Sequence, residues 1–192
     1  MKNAFVVTLL LGYALSCRSN NIERAVIEDS LAANTVQKFY QWYIHEAYPK
    51  STSYYQIPSY RKLDETTYVF DLEEYEERLN TVPYFSDTYR QTLISRLRNC
   101  NREMREVAWD YEPEPMFNIK ACNYLWGNQW VGGQGEVIGG FKVDSIEVDG
   151  SKAKSVVSIL TGGRVFVRSI VSLEKIKGNY KISGIELSWQ KE

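Results

Sequence analysis

The stretch FKVDSIEVDGSKAKSVVSILTGGRVFVRSIVSLEKIKGNYKISGIELSW, residues 141–189, decides the fold. Its runs of Val, Ile and aromatic residues are separated by Asp149-Gly150, Gly162-Gly163 and Gly178-Asn179, dipeptides that turn a chain tightly. It therefore reads as four consecutive antiparallel strands. Alternate side chains of a strand face opposite ways, so parity sorts the residues. Ala153, Ser155, Val157 and Ile159 share one face, as do Val165, Val167, Ser169, Val171 and Leu173. The two sets coincide if Thr161 pairs with Val165 around a three-residue loop, Gly162 to Arg164. The outer strands change phase once each, at Asp144-Ser145 and at Ser183-Gly184. One extra residue at each place is a β-bulge, which bends a strand and increases its twist. The resulting inner face carries Phe141, Val143, Ile146, Val148, Val157, Val167, Val171, Ile185 and Leu187. The outer face sets Val156 opposite Ile170 and Leu160 opposite Phe166, an apolar cluster suited to association.

Upstream the pattern changes from a period of two to a helical one. Val36, Tyr40, Tyr43 and Ala47, with Phe39 and Ile44 beside them, predict a helix from Ala33 to Tyr48, capped by Asn34 or Thr35 and stopped by Pro49. Thr52 to Ile57 and Thr67 to Phe70 are short strand candidates. Leu72, Tyr75 and Leu79 space an acidic helix whose Glu73, Glu74, Glu76 and Glu77 read as a solvated face. Ser86 caps a longer helix, Asp87 to Val107, whose stripe runs Tyr89, Leu93, Leu97, Cys100, Met104 and Val107. Glu112-Pro113-Glu114-Pro115 breaks it. The irregular stretch that follows holds Trp126 and Trp130 among Asn, Gln and Gly. Helices first and a sheet last give an α+β domain, with the helices packed into a strongly curved antiparallel sheet whose last four strands form a meander.

Composition bounds the function. The chain has 192 residues, 14 Tyr, 7 Phe, 5 Trp and a net charge of −1, which lacks the basic footprint of a nucleic-acid binder. Residues 1–17 read as a leader: Lys2 is followed by the apolar run Ala4 to Leu15, too short to span a bilayer. Ala14-Leu15-Ser16-Cys17 resembles the lipobox of bacterial lipoproteins, although Ala14 stands where Leu is usual. The resemblance implies an acylated Cys17 and a lipid-anchored position in a bacterial cell envelope, facing the periplasm or exterior. A plain secretory leader is the alternative. Residues 18–32 would be a tether or helical lead-in and residues 33–192 one domain. Cys100 and Cys122 are expected to form a disulfide in an exported protein. The sole His45 has no second soft ligand within helical reach, so neither a metal nor a cofactor is expected.

The helix-then-curved-sheet order resembles the nuclear transport factor 2-like superfamily, a cone of sheet wrapped by N-terminal helices. Phe39-Tyr40-Gln41-Trp42-Tyr43 looks like that superfamily's first helix, and Gly178-Asn179-Tyr180-Lys181-Ile182 like its closing hairpin. The resemblance implies a cavity, and some superfamily members are isomerases or dehydratases with an Asp or His inside the cone. Here the polar members of the inner face are Ser155 and Ser169, so a base would have to come from the first half, for example Asp64 or Asp71. We therefore expect a non-enzymatic, lipid-anchored binding module for a small ligand or an envelope protein, with an isomerase or dehydratase as the alternative. Tyr40, Tyr43, Trp109, Trp126 and Trp130 are the candidate pocket. Val156, Leu160, Phe166 and Ile170 are the candidate interface of a homodimer.

Overall fold

The computed structural model describes residues 29–51, 54–109 and 118–189, so the expected leader, Cys17 and most of the expected tether lie outside the described residues. The protein is α+β. Helix α1 is formed from residue 29 through 42 and continues as a π-helix, Tyr43–Ala47, in which the Tyr48 N–H donates to the Tyr43 carbonyl at 2.7 Å. Its stripe is buried as the spacing predicts: Val36, Phe39, Tyr40, Tyr43 and Ile44 are all buried. The predicted caps fail, because the helix is already under way before Asn34. Ala32 is fully buried, and that extra turn of contact outweighs the local preference of Asn34 and Thr35 for a cap. The Thr35 hydroxyl instead reaches the Tyr180 carbonyl, 3.2 Å away across the core.

A small hairpin follows. Strand β1, Tyr60–Lys62, pairs antiparallel with β2, Tyr68–Phe70. The segment 54–57 is turn, not strand, and β1 takes its place as the partner of β2. Asp64 shapes the connection by accepting from the N–H groups of Thr66 and Thr67. Helix α2, Leu72–Asn80, is capped by the Asp71 carboxylate, and α3, Asp87–Met104, by the Ser86 hydroxyl. Helix α3 ends at Met104, short of the predicted Val107. Asn101 faces β2 and exchanges two hydrogen bonds with the Phe70 backbone, at 2.8 and 2.9 Å. That amide stands in for a neighbouring strand and fastens the hairpin to α3. Among the four acidic residues of α2, Glu74 departs from the expected solvated face: its carboxylate takes the Ser59 N–H and hydroxyl and pairs with Arg78.

The remaining strands are β3, Gly140–Asp149, β4, Lys152–Thr161, β5, Arg164–Ile176, and β6, Asn179–Ser188. They lie side by side in that order, each antiparallel to the next. Both outer bulges fall where parity places them: the register slips past Asp144 between Val143 and Ser145, and past Ser183 between Gly184 and Ile182. The central hairpin differs. Thr161 pairs with Arg164 and Leu160 with Val165, so the loop is the two-residue Gly162-Gly163. Both glycines have positive φ, 56° and 77°, the turn whose twist matches that of the strands. The odd residue demanded by the hydrophobic phase sits inside β5 instead, where Phe166 is skipped between Val165 and Val167. The last turn is Lys177-Gly178, one residue earlier than Gly178-Asn179, because Ile176 pairs with Asn179.

Val157, Ile159, Val167, Val171, Leu173 and Ile182 are completely buried or nearly so, and they share one core with α1 and α3. Phe141, Val143, Ile146, Val148 and Leu187 are half-buried against the same core. The free edge of β6 is partly covered by residues 84–86: Ile182 N–H donates to the Tyr84 carbonyl and Ser86 N–H to the Ile182 carbonyl.

Candidate functional site

The candidate pocket residues separate into three places. Tyr40, Tyr43 and Trp130 come together, but inside the core. Trp130 is fully buried between Tyr43, with ring centroids 4.8 Å apart, and Phe85, at 5.1 Å. The Tyr40 hydroxyl donates to Ser169 Oγ at 2.6 Å. These rings fill the space between helix and sheet. Trp109 is held elsewhere, its indole N–H donating to the Met104 carbonyl and its backbone N–H to the Thr66 carbonyl. Trp126 is 56% exposed.

Trp126 borders a cleft of about 320 Å³, near the lower limit for small-molecule sites. Trp126 is the last residue of the 3₁₀-helix Lys120–Trp126, and the other walls among the described residues are Tyr48, Gln56, Ile57, Leu125, Asn128, Gln134 and the glycines 127, 133 and 135. Asn128 shapes this loop. Its side-chain oxygen accepts from the N–H groups of Trp130 and Val131, and its amide donates to the Tyr43 hydroxyl at 2.6 Å. Its backbone N–H donates to the Gly133 carbonyl, and its own carbonyl accepts from Gly132. Gly132 has φ +74°, and a Cβ there would stand 3.0 Å from both Val167 and Trp189, so only glycine fits beneath the sheet. Gln56 completes the wall: its carbonyl oxygen accepts from Gln129 N–H and its amide points at the Tyr43 hydroxyl, 3.4 Å away.

The cleft is polar without being charged. Among the described residues that line it there is no Asp, Glu, His, Lys or Arg. Tyr48, its one titratable side chain, donates to the Glu136 carbonyl at 3.0 Å, and burial, aided by the Glu136 charge, pushes its pKa up. Burial likewise drives the hydroxyls of Tyr40 and Tyr43 well above the ordinary phenol value. The described lining can therefore hydrogen-bond and stack. Asp64 and Asp71 are both engaged in capping backbone turns outside the core. Among the described residues there is no cluster of three metal-ligating side chains and no helix long and apolar enough to cross a membrane.

Cys100 and Cys122 are bonded, Cα atoms 4.8 Å apart, joining α3 to the 3₁₀-helix that ends on Trp126. On the outer face Val156 does pair with Ile170. Phe166 does not face Leu160: displaced by its bulge, its ring packs edge-on to Trp189 at 5.5 Å and lies close over Gly132 and Gly133. Val165, 40% exposed, occupies the position opposite Leu160. Sequence patterning passed over Gln56 and Asn128, because an amide in a loop carries no periodic signal. No family model, no curated protein and no solved structure matches this chain.

Proposed function

We propose that this protein is a non-catalytic binding module, held at the bacterial cell envelope through an acylated Cys17, and that the Trp126 cleft takes a neutral, saccharide-like ligand. The observation that carries the reading is an exposed indole in a cleft lined by three amide side chains, Gln56, Asn128 and Gln134, with no charged side chain among the described residues that line it. A sugar offers the matching surfaces, an apolar face for Trp126 and hydroxyls for the exposed Gln134 and the glycine backbone. Titration with neutral glucose and N-acetylglucosamine oligosaccharides tests it. Trp126→Ala should weaken binding by about 2 kcal/mol, roughly thirtyfold, at an unchanged melting temperature. Failure of every oligosaccharide to bind the wild type would sink the ligand assignment. The anchor has its own test: Cys17→Ala should move the protein from the membrane to the soluble fraction, since each buried acyl CH₂ contributes about 0.8 kcal/mol.

The bulges at Asp144 and Ser183 support a curved meander of the nuclear transport factor 2-like kind. The isomerase or dehydratase alternative loses support because aromatic rings fill the interior and Asp64 and Asp71 are engaged in turns. A second contact is proposed on the outer sheet face, where Val156, Leu160, Val165 and Ile170 would meet a second copy. A monomeric sedimentation coefficient for the wild type counts against it.

A further inference from the structure

A second cleft, of about 350 Å³, opens at the C-terminal end of α1 and is lined by Trp42, Glu46, Ala47, Lys50, Ser51, Tyr54 and Tyr55. Three of its walls are aromatic rings set nearly at right angles. Trp42 and Tyr55 lie 5.3 Å apart at 69°, and Tyr54 and Tyr55 lie 4.8 Å apart at 84°. In such edge-to-face pairs one ring's positive edge meets its neighbour's negative face, and aromatic surface left open on the cleft can attract a soft cation. The Arg78 guanidinium already covers one face of the Tyr54 ring, 4.3 Å from its centre, and donates to the Tyr54 carbonyl, which fixes that wall and leaves the ligand only the rest of the ring. Trp42 is fixed from behind by Tyr84 and Phe39.

Two opposite charges line the same cleft. Glu46 and Lys50 are both exposed, and among the described residues no ion pair joins them. The helix widens into its π-turn at Tyr43–Ala47, and such turns occur often at functional sites. A bare cation would gain from the rings and Glu46 but meet like charge at Lys50. A zwitterion avoids this conflict, with its ammonium among the rings beside Glu46 and its anion toward Lys50.

We propose that this cleft binds a zwitterion that carries a quaternary ammonium, with the chemistry of phosphocholine. The site is distinct from the Trp126 cleft and does not depend on the saccharide assignment. A diacyl lipid headgroup and a free solute share this chemistry.

The test titrates the full chain, followed by tryptophan fluorescence and calorimetry, with phosphocholine, with choline, and with the neutral isostere of choline in which carbon replaces the ammonium nitrogen. Phosphocholine should bind saturably, and the isostere should bind roughly tenfold more weakly than choline. Tyr54→Ala and Glu46→Gln should each weaken phosphocholine by roughly tenfold, whereas Lys50→Gln should weaken phosphocholine but not choline. All three substitutions are at exposed positions, and an unchanged melting temperature confirms the fold. Equal binding of choline and its isostere overturns the proposal, as does wild-type affinity in Tyr54→Ala, or no saturable binding of phosphocholine. Flotation with phosphatidylcholine rather than phosphatidylglycerol vesicles assigns the lipid source. Binding of free phosphocholine without vesicle capture assigns a solute. Either result supports the shared chemistry.

Discussion

Lys177 is the one non-glycine residue among those described with a positive φ, at 49°, and Gly178 follows at 85°. Side chains beyond glycine meet a penalty of roughly 1–2 kcal/mol in that region, which Asn partly escapes through its short polar group. Asn-Gly is also the pair that such two-residue hairpins favour. Lys177→Asn should therefore raise stability by about 0.5–1 kcal/mol. A higher urea midpoint at unchanged slope would show it; an unchanged or lower midpoint would mean that the lysine contributes something its geometry does not reveal. At the same scale, Phe166 shows why a register needs more than parity. The hydrophobic phase demanded one odd residue between β4 and β5, and either a three-residue loop or a bulge supplies it. The paired glycines fit the shorter turn without strain, so the surplus moved into the strand and carried Phe166 from the outer face to Gly132 and Trp189.

Among the elements, α3 and the 3₁₀-helix are joined by the Cys100–Cys122 bond across a sequence separation of 22. Closing a loop of that length restricts the unfolded chain and stabilises the fold by about 3 kcal/mol. A Cys100→Ser, Cys122→Ser double variant should lose about that much by denaturant titration, and Trp126, four residues after Cys122, should bind its ligand less tightly. Equal midpoints for variant and wild type would show that packing alone docks the 3₁₀-helix. The helices themselves were legible because each carries an apolar stripe at helical spacing. Ser86 caps α3 as the sequence predicts, whereas the Asp71 cap of α2 is seen only in the structure, α2 being read from its apolar spacing. Helix α1 was misjudged at its beginning because burial of Ala32, a tertiary contact, governs it. Strand β1, Tyr60-Arg61-Lys62, lacks the run of β-branched and aromatic residues that marks Tyr68-Val69-Phe70 as a strand, and its pairing with β2 is fixed by the Asp64 turn.

For the whole molecule the aromatic core sets the response to pH. Tyr40, Tyr43, Tyr75 and Tyr89 are buried, and burial raises each pKa well above the ordinary value of 10.0. The folded state thus holds these protons more tightly than the unfolded chain. Their contribution is fully present below pH 10.0 and declines as pH rises from there toward the folded pKa values. Each such tyrosine removes about 1.4 kcal/mol per pH unit across that window. Denaturant midpoints should hold steady up to about pH 9.5 and then fall steeply, and tyrosinate absorbance should appear together with unfolding. Ionisation of these tyrosines at the ordinary phenol value in the folded state would contradict the packed interior.

The sequence by itself determined the α+β class, the four-strand order, both outer bulges and the inner face, because those follow from periodicity and turn chemistry within short windows. It also placed Cys100 on the buried stripe of α3. Only the tertiary structure decided what became of the aromatics. Tyr40, Tyr43 and Trp130 could have lined a cavity or filled it, and the two outcomes have the same spacing along the chain. They filled it, because burying three large rings against Phe39, Phe85 and the sheet removes more apolar surface from water than leaving them around an open cone. The clefts were displaced to the surface, where Asn128 and Gln56 on one side, and Trp42, Tyr54 and Tyr55 on the other, meet through contacts between segments far apart in the chain or bent by a π-turn. Such meetings have no period and leave no mark in a single sequence.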